Sequence, residues 1–501
     1  MKISQFNSGL STRLAPELIS PNEALVCSNV DTLTGQLKSE LGPSNEIALI
    51  GTNPFYFTEG DEWFFNANEI DYLVYQRKLY SVDDVNGARK YIDGTWYNLG
   101  IEEPGTASSA SVGTGTSGLD GVYQYTYTYY NETDGTESQP APLSDELTVA
   151  GEDVNVTYVA SLDPQVTHIK IYRIGGALLS FQEIAEVANT SGTYNDTSGD
   201  LDTTGGVLAT SLNGRPPAGL RYLTESYGTF FGAVGSKLYF SRDIGNPNYW
   251  PEPNYINFED TITGVKESGA GVIVCTYYKT YIMTGTNIAS FNKQLLSASQ
   301  GCINYKTMVS LGGEVLFVST DGICAASGGG VQVLSRNKLG VQFFDTINAI
   351  AHKEVYYVQL ADNSILALDI RFGGIFKKFD FNTTWLVLAN DKLYGSIAPA
   401  VFELFACNQV EYTYSTGNIT DGASSMLKSY DEIYLSLEGE HTIDIYIDDI
   451  FVASRTVSGA AKPVEISIPQ DMQQGSRIRF VMSGIGTIRE LQYNVTVKTN
   501  G

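Results

Sequence analysis

Apolar and polar residues alternate along many short segments of this chain. In the clearest segment, Tyr123, Tyr125, Tyr127 and Tyr129 occupy every second position. Successive residues of a β-strand point to opposite faces, so all four rings are expected on one face of a sheet. The same alternation recurs at 154–158, 169–171, 433–435 and 443–447. The pattern predicts an all-β protein.

The tyrosine row has two interpretations. The four rings form either a platform on which sugars or bases stack, or the inner face of a folded β-domain. Long aromatic alternation is typical of buried or half-buried sheets. We therefore expect Tyr123, Tyr125, Tyr127 and Tyr129 to be core residues.

Two stretches, 46–102 and 215–410, repeat a shorter unit of apolar strand, small turn and apolar strand. One example is 314–318, which precedes a turn at Asp321-Gly322. This rhythm is typical of β-propeller blades, which take ~40–45 residues each. The two stretches together are long enough for about six blades.

Residues 103–214 interrupt that repeat. From Pro104 the chain is rich in Gly, Ser, Thr and Ala, which predicts a flexible linker. The sequence 113–118 matches GxGxxG, but no apolar strand precedes it and no helix pattern follows, so we interpret it as linker. The remainder has the length and strand spacing of a fibronectin type III-like sandwich. Residues 103–214 contain 15 acidic residues and two basic ones, Lys170 and Arg173.

The two ends of the chain complete the predicted organisation. Ser20-Pro21-Asn22-Glu23 has the form of a helix capping box, so a short helix is expected over 21–29. The predicted division is 1–45 as an N-terminal arm with this helix, 46–102 as the first part of the propeller, 103–214 as the acidic insert, 215–410 as the second part of the propeller, and 411–501 as a small C-terminal β-sandwich.

The net charge of −25 limits the possible partners. Binding of nucleic acid by counterion release needs basic groups that face phosphates, so an acidic surface disfavours it. An acidic wall is nevertheless suited to a passage through which nucleic acid moves without adhering. The five cysteines are widely spaced and odd in number, which indicates buried free thiols in a reducing compartment. We expect no secretory signal and no membrane anchor.

Few residues suggest chemistry. The three histidines, His168, His352 and His441, lie far apart in sequence, and no metal-ligand spacing appears. Asp196, Asp200 and Asp202 lie close enough to grip a calcium ion, but their spacing fits no known calcium loop, and a solvated acidic loop is favoured. We assign no catalytic, cofactor-binding or metal-binding residue and expect no cofactor.

A propeller that hydrolyses glycosides is a further possibility. The repeat of sialidase-like propellers, SxDxGxxW, is approached only at 319–322, where the glycine comes one place early and no Trp follows. Glycoside hydrolysis needs two carboxylates across a cleft, and the sequence singles out no such pair.

The N-terminal segment is the most specific part of the sequence. It resembles the start of tail nozzle proteins of short-tailed bacteriophages, also called tail tubular protein B or head-to-tail stabilisation proteins. The segments that carry the resemblance are Phe6–Arg13, Leu18–Ala24, Cys27–Asp31, Gly35–Leu37 and Gly42–Pro43. The order of propeller, inserted sandwich, propeller and small C-terminal β-domain is similar to that family as well.

The resemblance implies a non-enzymatic virion protein of the phage tail, assembled in the host bacterial cytoplasm. It implies a homo-oligomeric ring, usually a hexamer, below the portal and adaptor rings. Genomic DNA would pass through its channel without specific binding, and tail fibres or a tail-tip plug would dock to it. The acidic insert is a departure from the simplest members of that family, so the resemblance leaves open which partner the insert contacts. Two other classes remain: a glycan-binding tail fibre protein and a polysaccharide-degrading propeller enzyme.

Overall fold

The computed structural model describes residues 1–44, 52–65, 71–203, 205–209, 212–371, 374–398, 400–422 and 424–498, with the side chains of 460–463 excepted. These ranges contain 40 β-strands and one α-helix, the four-residue Arg336–Leu339. The prediction of an all-β protein is confirmed. Within the same ranges, no helix has the length and apolar character needed to cross a membrane.

The chain divides into two compact units. The terminal unit comprises Met1–Ala67, Lys266–Met283 and Lys293–Gly501, and the central unit comprises Asn68–Val265 and Thr284–Asn292. The predicted boundary between residues 45 and 46 lies outside the described residues. The other boundaries of the five-part division stay predictions.

A sheet of 13 strands forms the main body of the terminal unit. Its strands are β1 (Lys2–Ile3), β2 (Ala24–Ser28), β3 (Val30–Asp31), β4 (Leu37–Ser39), β29 (Thr346–His352), β30 (Val355–Leu360), β31 (Ile365–Asp369), β32 (Ile375–Phe379), β36 (Tyr412–Thr416), β37 (Lys428–Ile447), β38 (Ile450–Ser467), β39 (Gln474–Gly475) and β40 (Ile478–Val497). The longest path through it runs β29-β30-β31-β32-β2-β36-β40-β37-β38.

The N-terminal residues are part of this sheet. β1 and β4 pair with β40, and β2 lies between β32 and β36. Phe6, Val30 and Leu37 are buried in the same core as Tyr414 and Ile443. The C-terminal strands therefore close their core with the help of residues 1–44.

The short helix predicted over 21–29 is wrong. The capping contact does form, since the Ser20 N–H donates to Glu23 Oε2 at 3.1 Å, but it closes a turn. The chain then continues as β2. So short a helix is marginal on its own, whereas β2 gains ladder hydrogen bonds to β36 and buries Cys27.

Three C-terminal strands are unusually long. β37, β38 and β40 contain 20, 18 and 20 residues, so each spans roughly 60 Å or more. Along 443–447 of β37 the side chains are alternately buried and half-exposed, which places one face on the core and the other towards solvent. β38 is an edge strand: within the described ranges its outer side pairs with no other strand.

The chain also contains smaller antiparallel sheets. Their strands are β5 (Phe55–Phe57) and β6 (Glu62–Phe64); β21 (Ile262–Ser268), β22 (Gly271–Thr276), β23 (Thr280–Thr284) and β24 (Asn292–Ser297); β25 (Val309–Leu311), β26 (Glu314–Ser319), β27 (Gly322–Ser327) and β28 (Gly330–Val333); and β33 (Trp385–Ala389), β34 (Lys392–Ile397) and β35 (Ala400–Glu403). The turn predicted at Asp321-Gly322 joins β26 to β27.

The central unit contains two further four-stranded sheets. Their strands are β7 (Asp71–Tyr75), β8 (Lys78–Asp83), β9 (Gly87–Ile92) and β10 (Thr95–Asn98), and β17 (Arg221–Ser226), β18 (Thr229–Val234), β19 (Lys237–Phe240) and β20 (Tyr255–Asn257). Tyr80, Phe230 and Trp250 are buried in one cluster formed by both sheets. Each sheet consists of strands consecutive in sequence.

The insert folds as one hydrogen-bonded sheet of six strands: β11 (Ser109–Asn131), β12 (Thr136–Glu137), β13 (Leu147–Tyr158), β14 (His168–Gly175), β15 (Leu178–Ala188) and β16 (Gly192–Asp196). Their order in the sheet is β15-β14-β11-β13-β16, and β12 pairs with β11. Tyr123, Tyr125, Tyr127 and Tyr129 are at most 8% exposed and pack in its core, which confirms the core interpretation.

The linker predicted from Pro104 onward is wrong for the part from Ser109, because β11 already begins there. The first two glycines of the GxGxxG match lie against Asp153 of β13. A Cβ on Gly113 would stand 2.4 Å from an Asp153 carboxylate oxygen, and the Gly115 N–H donates to that carboxylate at 2.6 Å. These glycines thus give room for a buried carboxylate inside a strand pair.

Candidate functional site

The three acids considered for calcium lie around an arginine instead. Arg173 Nη1 donates to Asp196 Oδ2 at 2.6 Å, and Arg173 Nη2 donates to Asp200 Oδ1 at 3.1 Å. Nη1 also donates to the Ser198 carbonyl at 2.8 Å. Asp202 is exposed and takes no part in these contacts. The guanidinium supplies the positive charge that a calcium ion would bring, and the described residues contain no group of three or more His, Cys, Asp or Glu side chains able to hold a metal.

Two core tyrosines complete this ion cluster. The Tyr125 hydroxyl donates to Asp196 Oδ2 at 3.0 Å, and the Tyr123 hydroxyl donates to Asp200 Oδ2 at 3.1 Å. Burial first, and then the neighbouring carboxylate, raises the pKa of each phenol. Both phenols therefore stay protonated as donors. Since Arg173 and Asp196 have fully buried side chains, the cluster is a structural support inaccessible to substrate.

Each histidine has local contacts of its own. His441 is buried, with its Nε2 3.0 Å from the Glu438 carbonyl and its Nδ1 3.1 Å from the Tyr412 hydroxyl. Nε2 must donate to the carbonyl, so Nδ1 accepts from the phenol. Burial lowers the pKa of His441. His168 Nδ1 lies 3.6 Å from the Glu132 carboxylate and 4.0 Å from that of Glu186, and His352 Nε2 lies 3.1 Å from the Asp391 carboxylate.

The five cysteines are all free thiols. Cys27, Cys275, Cys302 and Cys324 are buried as predicted, whereas Cys407 is exposed. Burial raises the pKa of Cys27 to about 12. The buried thiols therefore have little thiolate character and act as small apolar side chains.

The aspartate of the sialidase-like segment is held in local contacts. Asp321 Oδ2 accepts from Arg336 Nη2 at 3.0 Å and from Gln300 Nε2 at 3.1 Å. The Asp321 N–H donates to Ser319 Oγ at 3.1 Å. These bonds shape the β26–β27 turn.

An open cleft of about 520 Å³ lies in the central unit. It is lined by Trp96 and Tyr97 of β10, by Glu103 from the segment before β11, and by Leu162 and Asp163 from the loop after β13. Sequence patterns gave no sign of this site, because the residues come from three distant segments and no local motif joins them. Aromatic rings beside carboxylates form a site for ligands that present both an apolar surface and hydrogen-bond donors.

Hydrogen bonds fix the loop that forms one side of the cleft. Gln165 Nε2 donates to Asp163 Oδ2 at 2.8 Å and to the Gly100 carbonyl at 3.0 Å, which ties the loop to the residues that follow β10. The Ser161 N–H donates to Asn189 Oδ1 at 2.8 Å. Gln165 is only 5% exposed. The cleft is therefore preformed.

A second surface is the solvent face of the long C-terminal strands. On β37 this face carries the acidic residues Glu432, Glu438, Glu440 and Asp444, all at least partly exposed. The adjacent edge strand β38 leaves its outer backbone groups unpaired with any strand of the described residues. An unpaired edge of this length is a site for pairing with another strand.

No protein-family model and no curated protein matches this chain. Three solved structures have low similarity to it. The computationally designed Ika8 protein is 12% identical over 80% of this chain and 99% of that chain, with a TM-score of 0.33. The exo-beta-1,3-galactanase from Phanerochaete chrysosporium is 10% identical over 90% of this chain and 100% of that chain (TM-score 0.19), and the AfRom2 CNH domain is 7% identical over 63% of this chain and 90% of that chain (TM-score 0.27). At these TM-scores the similarities carry no argument about function.

Proposed function

We propose that this protein is a structural subunit of the tail nozzle of a short-tailed bacteriophage, where copies of the chain form a ring around the DNA-ejection channel. The observation that carries the proposal is the long C-terminal sheet with its unpaired edge strand β38. Strands of roughly 60 Å are long enough to form a wall element. An unpaired edge supports association between copies, because it offers backbone donors and acceptors along 18 residues.

The acidic face of β37 also supports a role at a channel. Glu440 and Asp444 project from the face opposite the core. Carboxylates repel DNA phosphates, so a polyanion passing such a surface would not adhere to it. The net charge of −25 extends this repulsion to the chain as a whole.

The proposal includes a finer architecture. We propose that the short antiparallel sheets on both sides of the insert are blades of a β-propeller with about six blades. The insert is then a fibronectin type III-like sandwich, and residues 411–501 are the main part of a C-terminal β-sandwich that residues 1–44 complete. The four-stranded sheets of consecutive strands support the propeller part of this organisation.

The expected partners follow from the position of such a ring. Copies of the chain contact each other, with a hexamer as the expected state, and the role requires no enzymatic step. An adaptor ring binds on the capsid side, and tail fibres or a tail-tip plug bind at the flank or tip. Assembly takes place in the host bacterial cytoplasm, and the mature location is the virion tail.

The proposal is tested by the oligomeric state of the purified full chain. Mass photometry across a concentration series, with electron microscopy of any large species, is expected to give closed rings, free or on assembled tails. A monodisperse monomer that binds or cleaves glycan would contradict the proposal. Turnover in a glycan-degradation assay, lost on replacing either of two carboxylates, would establish the enzyme alternative.

The role of β38 is tested with two proline variants, Arg455→Pro and Thr456→Pro. Neighbouring residues of a strand direct their N–H groups to opposite sides, so one variant blocks the outer edge and the other breaks a bond to β37. The variant that blocks the outer edge is expected to be as stable to unfolding as the parent protein but to form no rings. If both variants assemble normally, the ring contact does not use this edge.

A further inference from the structure

We infer that the cleft beside β10 binds a positively charged alkyl-ammonium or guanidinium group. The inference rests on the charge, the rings and the fixed walls of the cleft. It is independent of ring formation, since all the residues involved belong to the central unit of one chain.

The charge of the cleft favours a cation. Glu102, Glu103 and Asp163 all line it. Glu102 is partly neutralised by Arg215, whose Nη1 lies 3.3 Å from its carboxylate. Glu103 is exposed, and the Asp163 carboxylate accepts hydrogen bonds from the backbone N–H and the side-chain amide of Gln165, both of which are neutral. Among the described residues, neither of these two carboxylates forms an ion pair with a basic side chain, and the acidic insert around them adds to the negative potential.

The aromatic residues favour the same ligand. A cation is attracted to the face of Trp or Tyr when it lies within about 6 Å of the ring centroid. The Trp96 ring already has a cation of the chain against it, because the guanidinium carbon of Arg89 lies 5.0 Å from its centroid. Tyr97, the next residue on β10, contributes a further ring to the lining. A ligand cation would therefore meet the Tyr97 ring and carboxylates.

The apolar part of the lining suits a methylene chain. Leu162 is fully exposed at 101%, on a loop that the hydrogen bonds of Gln165 and Asn189 hold in place. Pro164 also lines the cleft. The stems of lysine, arginine and polyamines pack along apolar surfaces while their charged ends reach polar groups. The volume of about 520 Å³ falls in the range of small-ligand sites.

Two sources present this chemistry: a free polyamine, and a lysine or arginine side chain of a partner protein. Calorimetric titration of the full chain with spermidine, and separately with a capped lysine–arginine peptide, distinguishes them by relative affinity. The same peptide with acetylated lysines and citrulline in place of arginine has no cationic side chain and is expected not to bind. Binding of either cationic probe is expected to weaken as salt is raised, because part of the attraction is screened.

Two charge-matched variants locate the binding. Glu103→Gln removes a cleft carboxylate and is expected to weaken binding of the better probe about three- to fivefold, as for the loss of a partly exposed ion pair. Glu146→Gln makes the same change at an exposed position of the insert outside the cleft and is expected to leave affinity unchanged. Tyr97→Ala is expected to weaken binding as well, through the lost ring contact.

Three results would overturn the inference. Equal effects of Glu103→Gln and Glu146→Gln would mean that cations bind diffusely to an acidic surface. Absence of saturable binding by either probe at low salt would exclude the site. Tight binding of an uncharged oligosaccharide, insensitive to salt and lost in Tyr97→Ala, would assign the cleft to glycans instead. None of these results depends on whether the chain forms rings.

Discussion

Replacing Arg173 should destabilise the insert more than any other single change in its ion cluster. Arg173→Met keeps most of the side-chain length but removes the charge. It leaves the fully buried Asp196 carboxylate, and Asp200 beside it, without a cation. Breaking a buried ion pair by removing one partner costs about 3–5 kcal/mol. The hydroxyls of Tyr123 and Tyr125 compensate only in part, because they already donate to these carboxylates in the parent protein.

Hydrogen exchange measured by mass spectrometry reports this loss locally. When exchange follows opening of the insert, about 3–5 kcal/mol corresponds to exchange faster by roughly two to four powers of ten. Peptides from β11, β14 and β16 should show this faster exchange. Lys170→Met is the matched control, because Lys170 pairs with Glu183 at 3.2 Å in a more exposed position and should cost about 1 kcal/mol or less.

A second variant separates charge from packing. In the double variant Arg173→Met with Asp196→Leu, the buried carboxylate is removed together with its cation. Replacing a buried ion pair by apolar residues is often close to neutral, so much of the lost protection should return. If Arg173→Met alone exchanges within about threefold of the parent protein, the cluster does not support the insert and the reasoning is refuted.

Three further predictions address other parts of the chain. Burial lowers the pKa of His441 in the folded state, so its contribution to stability is present above the unfolded pKa of about 6.5 and is lost as pH falls towards the folded pKa. Thermal unfolding from pH 8 to 5 should show a loss of stability that is smaller in His441→Gln. The same pH profile in that variant as in the parent protein would contradict the prediction. Gly113→Ala should destabilise the insert by about 1–3 kcal/mol, since the new methyl group meets the Asp153 carboxylate; a variant as stable as the parent in chemical denaturation would show that Asp153 moves freely. A thiol reagent should label Cys407 quickly and Cys302 only on unfolding; rapid native labelling of Cys302, read by mass spectrometry, would show that its core opens.

The sequence predicted the presence of strands more successfully than the residues that surround each strand in the fold. The alternation at 123–129 was sufficient to place four tyrosines in a core, because a strand with one buried face is the regular structure that repeats every two residues. The same rule applied to 169–173 would have found the buried arginine, since Ile169, Ile171 and Arg173 share one face of β14. A single basic residue on an apolar face is the signal that the calcium hypothesis overlooked.

Other features depended on partners distant in sequence. The residues around the capped turn before β2 are the same as those expected at the start of a helix. The chain forms a strand there because it pairs with β36 and buries Cys27. Likewise, the glycine-rich start of β11 is a strand because β13 pairs with it. The cleft draws its lining from residues around 96, 103 and 162. Such sites become visible only when the fold brings the segments together.

The pairing of β1 and β4 with β40 has a consequence for synthesis on the ribosome. β1 and β4 emerge long before β40 and must wait for it before their sheet can close. The terminal unit is therefore expected to mature late and slowly, as folds with distant contacts do. Copies that stop short of β40 would lack the strand with which β1 and β4 pair. We therefore expect the terminal unit to close only in chains that contain β40.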